Sequence, residues 1–167
     1  MKVTGFMNKA YLLIGGNEGN RLFHLKQAVT NIEIFCGEIL ILSSLYETAP
    51  WGRSDQPAFL NQALLIQTPL QAAALMQSIL QIEEEMGRKR IEKYGPRSID
   101  IDILFFNNDI IDQPQLKIPH PEIQNRRFVL EPMNEIAPSL LHPLLGKTIQ
   151  ELLSKCPDQL GVKKIME

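Results

Sequence analysis

The sequence predicts an α+β fold: an antiparallel sheet with two helices on one face, followed by a C-terminal hairpin and further helices. Three observations lead there. Strand-like runs and helix-period segments succeed one another in the order β-α-β-β-α-β. Gly, Pro, Asn and Asp clusters separate them, which is the punctuation of turns. The 167 residues are 44% apolar and 22% charged, enough to enclose one sizeable core in a single domain, residues 1 to 167. This order is the ferredoxin-like split βαβ arrangement, in which the antiparallel sheet keeps both helices on the same side. The arrangement hosts many functions, so function must come from the site.

Each element has its own warrant. Met1 to Lys9 is a loose lead-in. Ala10 to Ile14 is a short apolar strand running into the turn Gly15-Gly16-Asn17. Leu22, Leu25, Val29 and Ile32 recur at helical spacing, with Asn20 placed to cap the start and Gly37 just past the end. Ile39 to Tyr46 reads as one strand, and the turn-rich stretch Thr48 to Pro57 follows. Phe59 to Gln67 is the third strand. Leu70 to Met86 is a helix that begins after Pro69 and stops at Gly87. Ser98 to Phe106 is the fourth strand and is expected to lie centrally in the sheet. Asn107-Asn108-Asp109 signals a turn before the strand pair Ile110-Ile111 and Leu116 to Ile118. A helix-prone piece reaches Leu130, and a last helix lies around Thr148 to Lys155. No role beyond packing is assigned to residues 146 to 167.

The totals exclude several classes. A net charge of −2 and a pI near 5.9 argue against a general nucleic-acid binder. No apolar run reaches 18 residues and no leader precedes the first strand, so no membrane contact and a cytoplasmic setting are expected. Cys36 and Cys156 have no metal-type spacing and read as free thiols. A monomer is expected.

The chemistry concentrates in Lys93 to Leu104, KYGPRSIDIDIL. Alternation at period two puts Asp100 and Asp102 on one side of a strand and the isoleucines on the other. Their Cα atoms would lie roughly 7 Å apart at about 3.3 Å per residue. Two like charges so placed repel, and a divalent cation relieves the repulsion. Magnesium favours one or two carboxylates together with substrate phosphate oxygens. Arg97, after the Gly95-Pro96 turn, adds a cation near the same place. The run therefore points to metal-assisted phosphoryl chemistry on an anionic substrate. Alone, an Asp-x-Asp pair could equally be a solvated strand face.

Arg88, Lys89, Arg90, Lys93 and Arg97 crowd five cations into ten residues of a net-acidic chain. Directly ahead of the aspartates they read as a triphosphate clamp, with Gly87 and Gly95 able to hinge the loop. Gly15-Gly16-Asn17 lacks the Lys and Ser/Thr of a P-loop and reads as a structural turn.

Taken together, the aspartate string, Thr48-Ala49-Pro50-Trp51-Gly52, Phe59-Leu60-Asn61-Gln62-Ala63 and PHPEIQNRRF (119 to 128) resemble the 6-hydroxymethyl-7,8-dihydropterin pyrophosphokinase family, over about residues 10 to 145. The resemblance implies pyrophosphoryl transfer from ATP to the hydroxymethyl group of the dihydropterin, releasing AMP, in folate biosynthesis. It implies two magnesium ions on Asp100 and Asp102, with Arg88 and Arg90 as catalytic arginines on a mobile loop. ATP would be bound by Glu83, Arg88, Arg90 and Arg97, together with Ile103, His120 and Arg126. The pterin would meet Thr48, Ala49, Pro50 and Trp51, then Asn61 and Asp100, with Phe59 and Phe128 stacked on its faces. Two departures stand out: the loop from Arg90 to the Gly-Pro turn is one residue short of some relatives, and Tyr94 stands where tryptophan also occurs. Pro121 replaces a tyrosine found in others. The rival readings are a magnesium-dependent nucleotidyltransferase and a ferredoxin-like RNA-binding module.

Overall fold

The structure is a computed structural model that describes residues 6–88 and 94–165. Strand β1 (Asn8–Gly16) leads into helix α1 (Arg21–Phe35), and β2 (Glu38–Leu42), β3 (Leu45–Thr48) and β4 (Phe59–Thr68) follow. Helix α2 (Ala72–Glu85) and strand β5 (Asp100–Phe106) complete the βαββαβ order. The sheet runs β5-β1-β4-β3-β8, with β2 also pairing β4, and every pairing within it is antiparallel. The ferredoxin-like expectation therefore holds, with β5 at the edge of the sheet rather than in its centre.

Local chemistry sets the helix ends. The Asn20 side chain accepts the Phe23 N–H at 3.1 Å, the expected N-cap of α1. Gly37 follows that helix where a Cβ would stand 2.2 Å from the Gln67 carbonyl oxygen, so only glycine lets the chain pass. Gly87, with φ +80°, takes the left-handed conformation that ends α2.

Helices α1 and α2 share one face of the sheet. Leu25, Ala28, Ile32, Leu75, Ile79 and Ile82 bury there against Leu12, Ile14, Leu64, Ile66, Ile101 and Ile103. The other face is not bare. After the ribbon β6 (Ile111–Gln113) and β7 (Leu116–Ile118), a 3-10 turn (Ile123–Asn125) leads into α3 (Arg127–Ile136), and α4 (Ile149–Ser154) follows. Val129, Leu130, Met133, Ile149 and Leu152 pack against Leu13, Ala63 and Leu104 on that second face. The C-terminal additions thus make a third layer that covers part of the sheet. Cys36 and Cys156 are buried free thiols, one in each core.

Two elements depart from expectation. The single strand read from Ile39 to Tyr46 is broken at Ser43-Ser44 into β2 and β3. Ser43 exchanges bonds with Ala63, its N–H donating to the carbonyl and its Oγ accepting the amide, both at 2.9 Å. The Ser44 amide is drawn instead to Glu135 on α3, also at 2.9 Å. The second departure is β8 (Val162–Ile165), which adds to the outer side of β3. Among the described residues, no helix is long and apolar enough to cross a membrane.

Candidate active site

The β1 and β4 strands cross under the exposed end of the second sheet face with small or polar residues turned up. A cleft of about 860 Å³ opens there, beyond the start of α3. Its floor is Leu13, Gly15, Asn61 and Asp102, and its walls come from Thr48, Ala49, Trp51, Arg88, Tyr94, Pro96, Arg97, His120, Arg126 and Phe128. It continues past edge strand β5 to Met76, Leu80 and Glu83 on α2 and to Gln115.

Asp100 and Asp102 do share one side of β5, with Ile101 and Ile103 buried on the other. Because β5 is the edge strand, a chain leaving α2 can reach round it. Arg88 does so, its Nη1 lying 2.7 Å from Glu83 Oε2 and 2.9 Å from Asp100 Oδ1. Arg97 Nη1 holds the other Asp100 oxygen at 3.0 Å. Glu83, 3% exposed, also accepts the Ile101 amide at 2.8 Å, locking α2 to β5. A glutamate near the end of a helix is ordinarily exposed to solvent. The burial of Glu83 and its bonds instead make it the foundation on which Arg88 and β5 rest.

Burial drives the Asp102 proton affinity well above the ordinary carboxylate range, and the charges of Asp100 and Glu83 push the same way. Arg126 and Arg88 offset only part of this. The described lining sets three carboxylates, Glu83, Asp100 and Asp102, against three arginines, Arg88, Arg97 and Arg126, yet buried Asp102 stays short of a counter-charge, as a cation ligand should before its cation binds. The donors also suit a hard cation: two carboxylates, and among the described residues no group of three or more His, Cys, Asp or Glu. Magnesium bound by two carboxylates takes its other ligands from water and substrate phosphate.

Opposite the aspartates the cleft is aromatic and cationic. The Arg126 guanidinium lies 4.5 Å from the Trp51 ring centre and 5.7 Å from that of Phe128. Its Nε is buried with no hydrogen-bond partner among the described residues. A guanidinium in that state lacks an acceptor, which an anionic ligand would supply. Arg97 lies 5.9 Å over Phe59. Burial, and then the Arg126 charge, lower the His120 pKa to about 4, so the ring is neutral at pH 7. Its Nδ1 accepts the Glu122 amide at 3.1 Å, which leaves the ring proton on Nε2 for a ligand.

Polar edge readers sit beside the aromatics. Asn61 Nδ2 donates to Thr48 Oγ1 at 2.7 Å, and both residues are buried. Gly15 makes room for this: a Cβ there would lie 2.0 Å from Asn61 Oδ1. A Cβ at Gly16 would strike the Ser98 carbonyl at 2.2 Å, so the Gly-Gly turn is needed for close strand approach, not for phosphate.

The structure thus gathers Thr48, Ala49, Trp51, Phe59, Asn61, Glu83, Arg88, Arg97, Asp100, Asp102, His120, Arg126 and Phe128 around one cleft. Pro50 is half-buried beside it without lining it. Ile103 is 3% exposed in the core under α1 and α2, away from the cleft. Arg90, Lys89 and Lys93 lie outside the described residues. The structure also ties two amides into a knot, of which sequence reasoning did not foresee Gln56. Asn17 accepts the Arg97 amide at 2.9 Å and donates to Gln56 Oε1, also at 2.9 Å. Gln56 in turn donates to the carbonyls of Arg53 and Tyr94, at 2.8 and 2.6 Å. Tyr94, with φ +59°, packs edge-on to Trp51 at 5.4 Å. Nothing local in the sequence marks these partners.

Comparison with known proteins bears on the same elements. Residues 11–138 match the family model described as 7,8-dihydro-6-hydroxymethylpterin-pyrophosphokinase. The chain is 39% identical over 145 residues to the 2-amino-4-hydroxy-6-hydroxymethyldihydropteridine pyrophosphokinase of Aquifex aeolicus, covering 87% of this chain and 90% of that one. It is 44% identical over 130 residues to the protein of that name from Bacillus subtilis, 77% of this chain and 78% of the other. A crystal structure of Plasmodium falciparum HPPK-DHPS superposes with a TM-score of 0.77 at 21% identity. This chain covers 44% of that longer one, with 92% of its own length aligned. The chain belongs to the 7,8-dihydro-6-hydroxymethylpterin-pyrophosphokinase family, a family of transferases.

Proposed function

We propose that this cleft transfers the β,γ-pyrophosphoryl unit of ATP to the hydroxymethyl oxygen of 6-hydroxymethyl-7,8-dihydropterin, releasing AMP. One observation carries the reading: Arg126, half-buried with its buried Nε short of an acceptor among the described residues, stands between an aromatic wall and a carboxylate pair that calls for a cation. A flat heterocycle and a metal-bound polyphosphate together satisfy all three.

In this reading Phe59 and Phe128 take the faces of the pterin, and Thr48 with Asn61 reads its polar edge. An amide offers both donor and acceptor, and the Thr48 hydroxyl, already an acceptor for Asn61, keeps its own proton for a ligand atom. Arg97 and Arg126, now resting on aromatic faces, turn to phosphate oxygens as ligands enter. His120 donates from Nε2 to a phosphate without adding charge. Arg88, with Arg90, neutralises charge that develops on the bridging oxygen. Asp100 and Asp102 would hold two magnesium ions, which when bound neutralise the phosphate oxygens. Among the described residues of the cleft no strong general base is apparent, so the residues act by orientation and by fixed charge.

The experiment is a product analysis. Supplied with ATP, magnesium and the hydroxymethyl-dihydropterin, the protein should yield AMP and pterin pyrophosphate. ADP would mean transfer of a single phosphoryl group, and free pyrophosphate would mean nucleotidyl transfer; either refutes the reading.

A further inference from the structure

The family match stops at residue 138, yet the chain beyond it touches both walls of the cleft. Helix α3 begins at Arg127 with no side-chain cap of its own: Arg126, in the capping position, makes no such bond. The cap comes from 31 residues downstream, where Asp158 Oδ2 accepts the Arg127 amide at 3.0 Å. Its carbonyl accepts Arg127 Nε at 3.0 Å, and its Oδ1 accepts the Leu160 amide at 2.9 Å. A carboxylate there satisfies an open N–H and opposes the positive end of the helix dipole. Arg126 and Phe128, the residues on either side of the capped amide, both line the cleft.

Three residues further on, the Gly161 carbonyl accepts the Ala49 amide at 2.9 Å. Val162 then pairs with Thr48 as β8 begins. Four peptide steps separate Asp158 from Val162, a reach of at most about 14 Å. That short tether fixes the start of α3 relative to the end of β3.

We propose that this segment is a brace across the heterocycle end of the cleft, and that Asp158 is a positioning residue for it. Asp158 touches no substrate atom. It holds Phe128 and Arg126 at a set distance from Thr48, Ala49 and Trp51, so the width of the slot that receives the flat ligand depends on it. Most of the phosphate end rests on Asp100, Arg88 and Glu83, which the brace does not touch, and Arg126 is the one residue the two ends share.

Naming the flat ligand a pterin rests on the function proposed above, and the test separates the two ideas. In the full chain, Asp158→Ala should weaken binding of 6-hydroxymethylpterin about 5- to 10-fold, the scale of a lost cap. Binding of magnesium-ATP, which shares only Arg126 with the brace, should weaken less, by about two- to threefold. Asp158→Asn, which keeps one acceptor of two, should fall between and guards against a poorly folded alanine variant. Amide exchange at Ala49 and at Arg127 to Val129 should quicken in both variants. Equal weakening of both ligands, or unchanged pterin binding by folded protein, overturns the brace. If wild-type protein binds no pterin, the functional reading fails instead, and the brace is judged on exchange: protection equal to wild type at Ala49 and Arg127 overturns it.

Discussion

Replacing Asp102 by asparagine removes a carboxylate whose ionised form is disfavoured by burial and by two neighbouring carboxylates, and should stabilise the protein while disabling it. The two aspartates are two residues apart on a strand, so their charges lie roughly 7 Å apart. At an effective dielectric of about 20 that repulsion is about 2 kcal/mol. Burial of the ionised carboxylate, the largest cause, adds to this and Arg126 and Arg88 return part, leaving a gain of at least about 1–2 kcal/mol. For a chain of this length that is a rise in Tm of about 3–6 °C. The pH dependence follows from the raised proton affinity of Asp102. The stability that comes with protonating this carboxyl is complete below the ordinary carboxylate range. It is lost as pH rises through the raised folded-state value. The wild type therefore lags the variant at pH 7 and above, and the gap closes toward pH 4. Calorimetry at pH 8 and pH 4.5, with AMP release measured alongside, checks both halves. Turnover should fall by at least a hundredfold. A variant less stable than wild type at pH 7, or one retaining over a tenth of its turnover, would refute the account of a buried cation ligand short of its counter-charge.

Other perturbations have distinct signatures. Phe128→Ala should weaken pterin binding roughly 5- to 150-fold, by analogy with base–aromatic stacking, with ATP affinity nearly unchanged; Trp51 fluorescence can follow the titration. Should the variant unfold while its folded fraction binds normally, Phe128 is core and not clamp. Arg88→Ala and Arg90→Ala should lower kcat with modest change in ATP affinity. The first should also cost about 2–3 kcal/mol, since it withdraws a cation from buried Glu83 and from Asp100; equal denaturation midpoints for the two variants would contradict that role. Gly15→Ala should displace the Asn61 amide, reducing pterin affinity at least tenfold and stability by about 1–3 kcal/mol; wild-type binding would mean Asn61 reads no ligand edge.

What the sequence revealed was what is decided locally. The side that Asp100 and Asp102 share follows from strand alternation alone. The Asn20 cap and the stops at Gly37 and Gly87 follow from backbone chemistry within a turn. What stayed hidden depends on partners far along the chain. Ser43-Ser44 looks like ordinary strand, and only Ala63 and Glu135 together divide it. Val162 to Ile165 is too short and mixed to announce a strand until β3 is there to receive it. Helical periodicity places Glu83 near the α2 boundary but cannot show that the Ile101 amide and Arg88 await it. The rank of β5 in the sheet is not written in its residues either. Yet its edge position is what lets Arg88 reach Asp100.

The two faces of the sheet carry different duties, and along each strand those duties alternate residue by residue. Leu60 and Ile103 sit in the core beneath α1 and α2, while their chain neighbours Asn61 and Asp102 face the cleft. A saturation scan of the cleft-side stretches of β4 and β5 should therefore split into two interleaved genetic classes. One class loses abundance and the other loses catalysis at normal abundance. Selection for folding and selection for chemistry can then act on adjacent codons almost independently, so the site can drift in specificity without renegotiating the core directly behind it.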